Sequence, residues 1–228
     1  MEWLYFILLG GSVLFPLVWS FENRVTYYKK WKSLFPAIIL TGIFFLIWDE
    51  IFTQNGYWGF NEKYITGIKI GSLPLEEILF FIIIPFSCVF IYECVGYFLP
   101  GNQRYKYSDK AALILGVVLI IISLFNFSKA YTFWNFLFTG ILLVYIGIRN
   151  PDWLSKFWIA YLYHLIPFFL VNGVLTGSFI DEQVVWYNNE ENFGVRVFTV
   201  PIEDSMYSLL LLLMNINYYE FFKNKLSK

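Results

Sequence analysis

Apolar residues fall in seven long runs, at 3–21, 34–52, 74–98, 111–127, 131–148, 156–176 and 201–222, and polar residues gather in the connections between them. Each run comes close to the about 20 residues that a helix needs to cross the hydrocarbon core of a bilayer. The pattern predicts an all-α integral membrane protein with seven transmembrane helices. Little chain is left over for a soluble domain. The first run has no basic start, is rich in bulky aromatics and lacks a clear small-residue cleavage site, so it reads as a span and not as a signal peptide.

The polar connections carry a side preference. Arg24, Lys29, Lys30, Lys32, Arg104, Lys106, Lys110, Arg149, Lys156, Lys223, Lys225 and Lys228 fall on one side of seven crossings, and Lys63, Lys69, Lys129 and Arg196 on the other. Cytoplasmic loops collect Lys and Arg. The N-terminus is therefore expected outside and the C-terminus in the cytoplasm, in the plasma (inner) membrane if the host is bacterial.

Composition agrees with a bilayer solvent: of 228 residues 58% are hydrophobic, 23% aromatic and only 14% charged. The formal net charge of −1 gives no reason to expect nucleic acid as a partner. Cys88 and Cys94 lie within the third run and read as packing residues. His164, the single histidine, reads as a helix-packing residue bonded to a neighbour, and with no Cys or His partner it predicts no metal site. Dinucleotide, P-loop, zinc-protease and serine-hydrolase signatures are absent, so no cofactor is expected. A retinal-binding photoreceptor needs a lysine in its seventh span, and none lies between Pro201 and Phe222.

Two polar stretches interrupt this picture in the same way. PLEE at 74–77 and PIED at 201–204 each open an apolar run, and six positions match at equal spacing upstream and within them. The pairs are Asn61 with Asn188, Gly67 with Gly194, Lys69 with Arg196, Pro74 with Pro201, Glu76 with Glu203, and Glu77 with Asp204. Such agreement argues for duplication of a three-helix unit. The expected organisation is a first repeat over 1–98, a connector with the fourth helix over 99–128, and a second repeat over 129–228. The odd connecting helix makes the repeats parallel, so both acidic turns face the outer side. The loops 53–73 and 177–200 contain alternating stretches and are expected to be partly extended, folding over the helix mouths.

Proline followed by acids is an ordinary way to open a helix. Here, however, the acids recur together with an Asn, a Gly and a basic residue, at the edge of hydrocarbon where ionisable groups are costly and usually functional. Glu76, Glu77, Glu203 and Asp204 are therefore the candidate acid and base set, with Asp49 as a supporting acid on the same side. Asn61, Lys69, Asn188 and Arg196 are expected to orient or tune them. Glu93 and Glu220, toward the basic side, are expected to form ion pairs. Burial and a nearby cation act oppositely on a carboxyl's hold on its proton, so donor and acceptor stay unassigned. Aromatic faces stabilise a carbocation, which suits acid-driven chemistry on an alkene.

The paired P-x-E-[ED] turns, LVNGVLTG at 170–177 and the Trp48–Asp49 pair resemble the membrane-integral lycopene cyclase family, in which the two halves occur as separate subunits or fused. The likeness covers nearly the whole chain, here with both halves fused, and it adds Asn172 to the supporting residues. It implies conversion of linear lycopene through γ-carotene to β-carotene: protonation at C2, capture of the C1 cation by the C5,C6 double bond, and loss of the C6 proton. Lycopene, γ-carotene and the bilayer are the implied partners. A homo-oligomer or association with other carotenoid-synthesis enzymes stays open. The rival readings are a proton-coupled transporter, which would show helices broken near the midplane, and a non-catalytic subunit of a carotenoid-synthesis complex.

Overall fold

The computed structural model describes residues 3–99 and 107–226. Arg104, Lys106 and Lys228, which contribute to the side preference, lie outside the described residues, as does part of the connector. Seven α-helices are present among the described residues: α1 Leu4–Trp19, α2 Trp31–Gln54, α3 Leu75–Phe98, α4 Ser108–Phe125, α5 Ala130–Arg149, α6 Leu154–Leu175 and α7 Ile202–Leu226. Each falls on one of the seven apolar runs. The helices α2 to α6 are long and apolar enough to cross a membrane. The apolar α1 is shorter, with 16 residues. Although α7 has 25 residues, it carries acids in its first turn and Glu220, Lys223 and Lys225 toward its end.

Burial is arranged as a bilayer solvent demands. Ile39, Ile43, Ile47 and Ile51 form an exposed apolar stripe along α2, whereas Asp49, Glu76, Glu77, Glu93, Glu203 and Asp204 are all buried. Apolar side chains outside cost nothing in lipid, and polar ones are kept where protein can satisfy them.

Helices α3 and α7 form the centre. Helix α1 packs on α3 and α5 on α7, while α2 packs on α7 and α6 on α3. Helix α4 lies along α5, where Gly116 and Gly140 let the backbones meet. A Cβ on Gly116 would sit 2.8 Å from the Gly140 carbonyl oxygen, the small-residue contact common between membrane helices.

The two long loops are partly extended. Strand β1 Trp58–Phe60 pairs antiparallel with β4 Val185–Tyr187, joining the loops to one another. Hairpins β2 Lys69–Ile70 with β3 Leu73–Pro74, and β5 Arg196–Val197 with β6 Val200–Pro201, then lead into α3 and α7. Contacts repeat between the loops at one offset. Asn61 and Asn188 each accept a hydrogen bond from the backbone N–H two residues on. The Asn61 N–H donates to the Val184 carbonyl, and the Asn188 N–H to the Tyr57 carbonyl. Gly67 and Gly194 both take positive φ, 80° and 71°, which explains the glycine in each motif.

At the opposite end, helix charges meet. Glu93 forms ion pairs with Lys30, Lys156 and Lys223, and Glu220 with Lys156 and Lys223. Tyr92 donates to Glu220 at 2.6 Å and Tyr219 to Glu93 at 3.0 Å. Each tyrosine precedes one glutamate of the pair and bonds the other, so the arms of α3 and α7 cross.

Candidate active site

Each acidic turn begins a helix, so successive side chains point about 100° apart around its axis. The two acids of each pair are sent to different places. Glu76 Oε1 accepts the Thr66 N–H at 2.6 Å. Glu203 Oε1 accepts the Phe193 N–H and the Thr132 hydroxyl, both at 2.7 Å. Thr66 and Phe193 occupy the same position in the two loops. These first acids clamp the loops to the helix starts, and neither lines the central cavity. Of the four candidate acids of the motifs, Glu77 and Asp204 line the cavity.

Glu77 and Asp204 do converge. With Asp49 of α2 they line one buried cavity of about 70 Å³ between the helices and beneath the β1–β4 pair. Tyr5 of α1 donates to Glu77 Oε2 at 2.5 Å. Tyr131 of α5 donates to Asp204 Oδ1 at 2.5 Å, and Tyr187 of β4 to Oδ2 at 3.0 Å. Trp58 of β1 donates its indole N–H to Asp49 Oδ1 at 2.5 Å. The other oxygen, Asp49 Oδ2, is buried and has no hydrogen-bond partner among the described residues. Burial, and then the neighbouring Asp204 carboxyl, push the Tyr187 phenol well above its ordinary pKa, so it stays a donor.

The remaining wall is mostly aromatic and apolar, with Phe60, Phe80, Phe168 and Tyr207 beside Thr176 and Ser208, and among the described residues no Lys or Arg belongs to it. Asn172 lines the cavity too. His164 also faces it, with Nδ1 3.2 Å from Cys88 Sγ. The neighbour to which it bonds is thus Cys88.

The basic motif residues turn away. Lys69 pairs with Glu62, and Arg196 donates to the Thr199 carbonyl at 2.7 Å and to Asn189 Oδ1 at 3.0 Å. Glu62 and Asn189 are again equivalent loop positions. Lys69 and Arg196 brace the loops, and Arg196 also lies 5.9 Å from the ring centroid of Tyr187, the phenol that donates to Asp204. Asn61 and Asn188 shape the turns between the strands and the hairpins. Glu50 accepts the Ser72 N–H and so ties the first hairpin to α2.

A family model described as lycopene cyclase matches residues 2–95 and 128–222. The chain belongs to the lycopene cyclase family. A bifunctional lycopene cyclase/phytoene synthase of Phycomyces blakesleeanus is 36% identical over 63 residues, 27% of this chain and 10% of that protein. One of the same description from Aspergillus oryzae is 20% identical over 177 residues, 77% of this chain and 26% of that protein. The chain thus spans about a quarter or less of these curated relatives. No solved structure matches it.

Both matched segments of this lycopene cyclase family member contain one acidic turn and the helix that precedes it. The phenols Tyr5, Tyr131 and Tyr187 were not singled out from the sequence, because 52 aromatics hide three that matter. One signal was present: Tyr5 and Tyr131 each stand at the second residue of the helix that opens a matched segment.

Proposed function

We propose that the chain is a lycopene β-cyclase, closing the ends of linear lycopene through γ-carotene to β-carotene, with Glu77, Asp204 and Asp49 as its acid and base groups. The observation that carries the reading is their meeting in one buried, aromatic-walled cavity whose lining holds no cation among the described residues. Proton addition and removal need carboxyls in different surroundings. Asp204, with a phenol on each oxygen, is arranged as the acceptor. Asp49 and Glu77, with a single donor each, hold the proton to be given.

The proton is added to C2 of the terminal double bond, the C1 cation is captured by the C5,C6 double bond, and the C6 proton leaves to the carboxylate. One proton enters and one departs, so the product is an isomer and no redox partner is required. The rings of Trp58, Tyr187 and Tyr207 surround the cation, and each face is worth about 2 kcal/mol when desolvated. The β1–β4 pair roofs the site and keeps water from quenching the cation. Glu76 and Glu203 act as positioning residues.

The organisation that goes with this reading is seven spans in two parallel repeats, 1–98 and 129–228, joined by the connector 99–128. The N-terminus is outside and the C-terminus cytoplasmic, in the plasma membrane of a bacterial host. The equal offset of loop contacts supports the repeats. The continuous course of α2, α3 and α6 through Pro36, Pro85 and Pro167 speaks for a fixed site, not a transporter with broken helices.

Expression in a lycopene-accumulating bacterium, with chromatographic separation of carotenes, tests the reading. Wild type should yield β-carotene, and Glu77→Gln and Asp204→Asn should leave lycopene at equal protein level. Unconverted lycopene with folded wild-type protein would overturn it.

A further inference from the structure

A cavity of about 70 Å³ accommodates the reacting end of a long polyene and not the rest of it. A second space, of about 680 Å³, lies between α1 and α6 over the face of α3. It shares Phe80, Ile84, Cys88, His164, Phe168 and Asn172 with the carboxyl cavity, so the two lie on either side of these side chains. Its outer walls include Ile7, Phe15 and Leu170, which are exposed on the surface that faces lipid.

At the matching level of the other side, the seam between α2 and α5 is filled; the space of about 830 Å³ beside Leu40 and Tyr145 lies nearer the basic end. Phe138 of α5 packs edge-on against Phe44 and Trp48 of α2, with ring centroids 5.6 Å and 5.4 Å apart. Counting from Tyr5 and Tyr131, which hold the two acids, the position of Phe138 on α1 is Ser12, preceded by Gly11. Where one half inserts an aromatic plug, the other has small residues.

We infer that the seam between α1 and α6 is the single lateral portal for the substrate, and that the polyene chain lies in this groove while its end reaches Glu77 and Asp204. The inference rests on the proposed cyclase reading and deepens it by naming where a linear apolar hydrocarbon binds. Pseudo-symmetric carboxyls are thus served from one side, so the second end of a symmetric substrate must leave and return reversed. A half-cyclised product is therefore expected to appear free in the membrane between the two closures.

A Cβ on Gly11 or on Gly10 meets nothing within 4 Å, but only Gly11 lines the groove. Gly11→Phe fills the groove without a backbone clash, and Gly10→Phe is the matched control. Lycopene retained per protein after detergent purification is measured for both substitutions, in wild type and in the Glu77→Gln background. Carotene products are measured in the wild-type background. Retention and turnover should fall about tenfold in Gly11→Phe, ~1.4 kcal/mol, and stay near wild type in Gly10→Phe. Equal values for the two variants, or no retention in any chain, would overturn the groove. A wild-type chain that retains lycopene in a Gly11-dependent way yet never cyclises it would leave the groove standing and refute the cyclase reading.

Discussion

Gly59 of β1 lies opposite Trp186 of β4, and the indole covers the glycine so closely that a Cβ there would sit 2.4 Å from Trp186 Cζ2. The two residues stand at the same offset as Asn61 and Asn188, so they are the same position in each loop. Strands that cross antiparallel on a pseudo-twofold axis bring one position against itself. The pair combines one large residue with one that has no side chain.

Gly59→Val should therefore lower the thermal unfolding temperature in detergent, by the about 1–3 kcal/mol typical of overpacking. Trp186→Ala should restore most of the loss. Additive effects of the two changes would show that the contact does not hold the roof.

Removing the phenol donors should separate chemistry from folding. A hydrogen bond to a charged group contributes about 1.5–3 kcal/mol, so Tyr131→Phe, which frees the Asp204 carboxylate, should slow carotene formation by about 10- to 100-fold. Tyr5→Phe removes a bond to the protonated Glu77, about 0.5–1.5 kcal/mol, and should slow it by roughly 2- to 10-fold. The ring packing is kept, and the stranded carboxyl oxygen should cost about 1–3 kcal/mol of stability, so turnover is compared at equal amounts of folded protein. Turnover at wild-type rate in both variants would exclude a role for the phenols in setting the carboxyls.

The two acids of each pair should behave differently. Glu77→Gln and Asp204→Asn should abolish product with the fold intact. Glu76→Gln and Glu203→Gln keep an acceptor for the loop N–H and should retain turnover. Glu76→Ala strands the buried Thr66 N–H and should cost about 1–3 kcal/mol of stability. Loss of turnover in Glu76→Gln at normal stability would return the first acids to the reacting set.

The crossed pair at the basic end should act as one unit. Glu93→Leu removes the carboxyl from three lysines, and because those lysines are partly exposed the loss should be about 1–3 kcal/mol, less than for a fully buried pair. The double variant with Glu220→Leu should lose less than the two singles together. Denaturation in detergent reads both quantities.

Much of this was legible in one dimension. The seven helices follow the apolar runs to within a few residues, and the twofold use of Asn, Gly and acid corresponds to real, equivalent contacts in the loops. The repeated Tyr–Glu steps at Tyr92–Glu93 and Tyr219–Glu220 have the same offset and were equally readable, but their crossing was not. The repeated cations Lys69 and Arg196 were readable too, but not their partners: hairpin geometry points Lys69 at Glu62 of its own loop, and Arg196 at Thr199, Asn189 and the face of Tyr187.

The sequence by itself determined the apolar helix plan, the doubled acidic turn and the family, because run length and spacing are properties of the chain alone. Tertiary structure decided which acid of each pair meets the cavity, which phenols hold it, and which seam stays open. Those depend on the rotation of one helix against another and on contacts such as Tyr5 with Glu77, 72 residues apart, which no local pattern encodes.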